Sequence, residues 1–147
     1  MSQREAVLAA LYATISPIAM IPATSLPVKV LRNQALPVAI PRGGVAILFD
    51  GDPGEPEYTL SPMTWHYEHR AEMIVAVQTA DGGDAVFDLL CAALGAAMVA
   101  DTTLGGTCDW VEPQAPMPDE LPFEGAETIK AARIAVILHY ATTAPLG

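Results

Sequence analysis

The sequence predicts an α+β fold: an antiparallel sheet of about four to five strands, with one long helix packed on it and a further helix at the N-terminus. Three observations predict it. Residues 64–79 and 128–142 alternate apolar and polar side chains with the period of two that a strand requires. Residues 2–15 and 84–100 instead space their apolar positions at i, i+3 and i+4, as helices do. The order of helix, strands, helix, strands lacks the regular alternation that builds a parallel sheet, so helices should lie on an antiparallel one. A length of 147 residues suits one domain spanning 1–147.

Ser2 stands as N-cap before Val7, Leu8, Leu11, Tyr12 and Ile15, with Glu5 three residues on, and Pro17 ends the helix near Ser16. Residues 17–41 hold five prolines and read as an extended arm with one short strand around Val28-Lys-Val-Leu31. Val45-Ala-Ile-Leu-Phe49, the turn chemistry of Asp50-Gly-Asp-Pro-Gly54 and Glu57-Tyr-Thr-Leu60 predict a hairpin. In the strand at 64–79, Trp65, Tyr67, His69, Ala71, Met73 and Val75 share one face, whereas His66, Glu68, Arg70 and Glu72 share the other. Asp81-Gly-Gly-Asp84 supplies a turn and an N-cap for the second helix, whose stripe is Phe87, Leu90, Cys91, Leu94 and Met98. Its opposite side carries Ala92, Ala93, Ala96 and Ala97 in place of charges, so this helix is expected to be covered on both sides. A turn at 102–106, a short strand at 108–111, an exposed proline-rich loop at 113–122 and the last strand complete the chain.

Net charge is −10, and it is unevenly placed: residues 1–49 carry +3 and residues 50–127 carry −15. Such a surplus of acid argues against gripping nucleic acid or an anionic membrane, since both need Lys and Arg against phosphate. The weakly polar stretch at 6–31 is broken by prolines, and the apolar run at 89–100 is about a dozen residues, so neither reads as a membrane span. Cys91 and Cys108 are read as reduced thiols.

Chemistry is thinly represented. His66 and His69 fall on opposite faces of one strand, so they do not form a metal pair, and His66, Glu68, Arg70 and Glu72 read as an ion-pair ladder. His139 could join them only if its strand lies alongside in the right register. Asp50-Gly-Asp-Pro-Gly lacks the distal ligands of a calcium loop, and there is neither a nucleophile elbow nor a phosphate-binding glycine loop. No catalytic residue, cofactor or metal ligand is therefore assigned.

Ile47-Leu-Phe-Asp-Gly-Asp52, Ser61-Pro62, His66-Tyr-Glu-His-Arg-Ala-Glu72, Thr103-Leu-Gly-Gly106 and His139-Tyr-Ala-Thr142, with the order of elements, resemble the tail terminator (tail completion) proteins of long-tailed phages and prophage-like elements. The resemblance covers nearly the whole chain as scattered short matches. It implies a structural, non-enzymatic virion protein of the tail or neck, assembled in the host cytoplasm as a homohexameric ring. Its implied partners are further copies of itself, the major tail tube protein, the head–tail connector or stopper protein, and passing DNA without tight binding; no membrane is implied. Two other readings stand beside it: another neck or minor tail component, such as a head-completion protein, and a small α+β enzyme or regulator. If a ring is formed, the turn Asp50, Asp52, Glu55, Glu57 and the loop Asp119, Glu120, Glu124 either line its lumen or are solvated outer loops. Lys29, Arg32, Arg42, Trp65 and Tyr67 are then the expected subunit or tube contacts, away from the lumen.

Overall fold

The computed structural model describes residues 1–36, 39–80, 82–119 and 128–147. Helix α1 (Gln3–Ile15) starts where expected, with the Ser2 hydroxyl accepting the Glu5 N–H at 3.1 Å. Its buried stripe is Val7, Leu8, Leu11 and Ile15. The arm that follows forms one short strand, β1 (Lys29–Arg32). Strands β2 (Val45–Asp52), β3 (Glu57–Thr59) and β4 (Thr64–Gln78) come next, then helix α2 (Gly83–Ala100). The chain closes with β5 (Trp110–Pro113), β6 (Met117–Asp119) and β7 (Ile129–Thr142).

The α+β class is as predicted, but the sheet is larger than expected, with seven strands among the described residues, and it is mixed. Its order is β1-β2-β4-β7-β5, with β3 beside β4 and β6 beside β7. β1 runs parallel to β2, from Lys29 opposite Val45 to Arg32 opposite Leu48. All other pairings are antiparallel. The spine is β4 against β7, paired from Trp65 opposite Thr142 to Gln78 opposite Ile129.

The expected hairpin of 45–49 with 57–60 does not form. β2 and β3 lie end to end along the same side of β4, and β3 instead makes the hairpin with β4. Between them the register of β2 slips by one residue after Phe49, and Gly51 takes a φ of 71° there. This is a β-bulge with glycine at the left-handed position. A side chain could not replace it, since a Cβ would land on the Arg70 carbonyl oxygen.

Residues 113–122, expected to be loop, contain β6, in which Pro118 sits opposite Ala132. An edge strand tolerates proline because only one of its sides is paired. On the outer side of β5, the Val111 N–H donates to the Thr102 carbonyl at 2.9 Å, and Pro113 has no N–H. At the other edge the Tyr12 hydroxyl donates to the Val30 carbonyl at 3.3 Å.

One face of the sheet carries both helices. Leu8, Leu11, Leu90, Leu94 and Met98 pack there on Leu48, Met73, Val75, Val136 and Leu138. Across the sheet, Val45, Ile47, Ala76 and Ala131 form a smaller cluster under Leu36 and Ile40, and among the described residues no helix covers that face. α2 begins from Gly82 without a side-chain cap; Asp84 lies in its first turn and pairs with Lys130 at 2.7 Å. Only its inner side is covered in a single chain, for Leu89 is 43% and Val99 71% exposed. At 18 residues and a mean hydropathy of 1.7, α2 is longer than the run read from sequence, and it is long and apolar enough to cross a membrane by those criteria; here its Phe87–Met98 stripe packs into the core.

Candidate functional site

The two faces of β4 divide the chain's polar chemistry. On the core face, His69 is 1% exposed and bonded at both ring nitrogens. The Asp50 carbonyl can only accept, so Nε2 carries the proton and donates to it at 2.5 Å. Nδ1 is then the acceptor, and the Tyr140 hydroxyl donates to it at 2.9 Å. Burial holds the His69 pKa below its ordinary value, keeping this tautomer neutral, and pushes the Tyr140 phenol up to about 12. The bulge at Gly51 is what turns Asp50 toward His69, and Tyr140 stacks on Tyr67 at 5.6 Å. Every polar atom of the histidine is satisfied by the fold, so His69 is a structural residue.

The open face is different in kind. His139 sits directly opposite Glu68 on β4 and opposite Trp110 on β5, so the register that His139 needed in order to join the polar row does occur. Its ring lies parallel to the Trp110 indole, 4.0 Å between centroids and 3° between planes. Glu112 Oε1 stands 3.7 Å from His139 Nε2, too far for a hydrogen bond, and that nitrogen is buried without a partner. Around this stack a groove of about 270 Å³ is lined by Glu55, Glu57, Glu68 and Asp109. No Lys or Arg lines it. Among the described residues no group of three or more His, Cys, Asp or Glu is placed to hold a metal ion.

Further along the open face, Arg133 bridges Glu72 at 3.1 Å and Asp119 at 3.0 Å. Of the four residues read as an ion-pair ladder, only Glu72 makes an ion pair among the described residues; Glu68 and Arg70 make none, and His66 bonds the Thr59 hydroxyl at 3.1 Å, because the cation that reaches Glu72 comes from β7 rather than from the row itself. Burial pushes both thiols up to about 11, so Cys91 and Cys108 stay protonated at neutral pH and are free in the structure.

The residues expected at a lumen and those expected at subunit contacts are not separate sets. Arg32 donates Nη1 and Nη2 to the two carboxylate oxygens of Glu5, each at 3.0 Å, and Nε to Asp50 at 3.1 Å. The Arg32 fork holds the Glu5 carboxyl below its usual range, and Glu5 in turn raises the guanidinium. Glu5 therefore does not reach back to cap its own helix as a capping box would. Asp50 and Arg32 belong to one internal bridge joining α1, β1 and β2. Asp119 is likewise held by Arg133. Asp52 caps the Gly54 N–H at 2.8 Å, Glu55 and Glu57 line the groove, Lys29 and Arg42 are exposed, and Tyr67 is half-buried on Tyr140; Trp65, paired with Tyr58 of β3, is also half-buried. Glu120 and Glu124 lie outside the described residues.

Removing the fork by Arg32→Ala is expected to lower stability by about 1 kcal/mol, since Glu5 and Asp50 remain partly hydrated. Thermal melting at pH 7 measures it, and the difference should shrink as pH falls through the folded pKa of Glu5, because a depressed carboxyl stabilises only while ionised. A variant as stable as the parent at pH 7 would show that the bridge contributes nothing.

The chain is thus an α+β fold with two helices on one face of a mixed sheet and an acidic groove on the other. The sequence matches no protein family and no curated protein. By structure, the chain is similar to one solved in the "Virion of native gene transfer agent (GTA) particle", with a TM-score of 0.56 and 13% identity over 92% of this chain and 95% of that one. The two share a fold.

Proposed function

We propose that this chain is a structural virion subunit that closes into a ring of six, caps the tail tube, ends its growth and offers the joining face to the head connector. The observation that carries the reading is the fold shared, almost end to end, with a chain of a gene transfer agent virion. The outer face of α2, with Leu89 and Val99, and the tip of the β3–β4 hairpin, with Tyr58, Leu60 and Met63, add apolar surface that a single chain leaves uncovered. Different patches on one subunit that meet head to tail make heterologous contacts, and these give rings when the rotation closes.

The test is to add the purified chain to tail tube protein while tubes are growing. Growth should stop at about one ring per tube end, with added density at that end in electron micrographs. Unchanged tube lengths and no association with tube ends would overturn the reading, and binding to the head connector alone would replace it with a neck component.

A further inference from the structure

We propose that the acidic groove beside Trp110 receives the Arg42 guanidinium of a second copy of this chain, with Lys29 alongside. This rests on the ring reading and names the contact by which its subunits join.

The contact rests on charge complementarity between two parts of the same chain that cannot meet within it. Four carboxylates, Glu55, Glu57, Glu68 and Asp109, border the groove and make no ion pair among the described residues. Trp110 lies with one face on His139, yet the residue is 45% exposed, which leaves a flat aromatic surface between these acids. A planar cation is the group that such a site recognises, because a guanidinium stacks on an indole while its fork pairs with carboxylates.

Cations of the same chain stand at the far corner of the sheet. Gly43 N–H donates to the Pro27 carbonyl and Lys29 N–H to the Gly44 carbonyl, which places Arg42 and Lys29 together at the start of β1 and β2. Both are exposed, and neither has an ion pair among the described residues. Lys29 pairs with Val45, Val45 with Ala76, and Ala76 with Ala131, whereas the groove lies at His139 on the same β7. Eight residues of strand separate those two levels, about 27 Å at ~3.4 Å per residue. One copy therefore cannot fill its own groove. A basic corner and an acidic groove on opposite parts of one sheet make a directional contact in which the next copy supplies what each lacks, and complementary potentials fix its register. The assignment moves Glu55 and Glu57 from a lumen lining to a subunit boundary.

Three preparations test it by native mass spectrometry and sedimentation: Lys29→Glu with Arg42→Glu, Glu57→Lys with Glu68→Lys, and their equimolar mixture. Each double variant alone should associate at least tenfold more weakly than the parent, with its melting temperature retained because all four positions are exposed. The mixture should recover association with the two chains in equal numbers, as an alternating ring must. Parent-like assembly of either double variant, or a mixture that stays dissociated while both variants are folded, overturns the contact and leaves the ring reading standing. A parent chain that never self-associates, even on tube ends, overturns both. If a double variant fails to fold, Arg42→Gln and Glu68→Gln serve in its place, and parent-like association by both would count equally against the contact.

Discussion

Replacing Gly51 by alanine is expected to lower stability by about 2–5 kcal/mol, the combined scale of left-handed backbone strain and an overpacked contact. The residue sits at a φ of 71° in the bulge of β2, and an added methyl would strike the backbone of Arg70 in β4, which has no rotamer by which to yield. Relief requires the bulge to slip. That withdraws the Asp50 carbonyl from His69 and the Asp50 carboxylate from Arg32, so one methyl disturbs both the buried histidine and the bridge to α1. Urea unfolding should show a lower midpoint with an unchanged slope, and a loss under about 0.5 kcal/mol would mean that the bulge does not hold these groups.

Substituting His69 by leucine is expected to cost about 2–4 kcal/mol, because the buried Tyr140 hydroxyl and the partly buried Asp50 carbonyl both lose their partner. Tyr140→Phe should cost less on its own, and the double variant less than the sum of the two, since it removes the orphaned hydroxyl together with its acceptor. The parent should also lose stability on acidification. The His69 pKa lies below its ordinary 6.5 in the folded chain, so below about that pH the unfolded chain takes up a proton that the folded one refuses. Stability then falls with pH until the folded-state pKa is reached, and His69→Leu should flatten this part of the curve. A curve of the same shape in both proteins would assign the pH dependence elsewhere.

Strand and helix periodicity made most of the fold legible. β4 and β7 are long enough for alternation to be unambiguous, and α1 begins at the Ser2 cap that its spacing announces. What could not be read is how strands pair. β2 and β3 look like a hairpin because Asp50-Gly-Asp-Pro-Gly is good turn chemistry, yet those residues form a bulge and a crossing to the next stretch of β4. Nothing local marks β1 as parallel, and β6 is hidden by prolines that an edge strand accepts. The candidate site shows the same division. That His66 and His69 face opposite ways follows from their spacing alone. The stack of Trp110 on His139 and the approach of Asp109 to Glu68 depend on the pairing of β5 and β7, which brings together residues about 30 positions apart and leaves no signal in either segment. Arg32 and Asp50 read as parts of separate surfaces for the same reason, since their pairing across β1 and β2 has no local signature.

The treatment of the sheet margins bears on how the chain can be stored before it is used. A strand with vacant donors and acceptors invites any other extended chain to add to it, and growth of that kind has no natural end. At β5 the outward Val111 N–H is already taken by Thr102, Pro113 and Pro118 have no N–H to give, and the four residues of β1 have a carbonyl occupied by Tyr12. Margins blunted in this way are poorer templates for a further strand, which disfavours fibrillar aggregation at high concentration and leaves association to side-chain surfaces, whose geometry can stop at a fixed number.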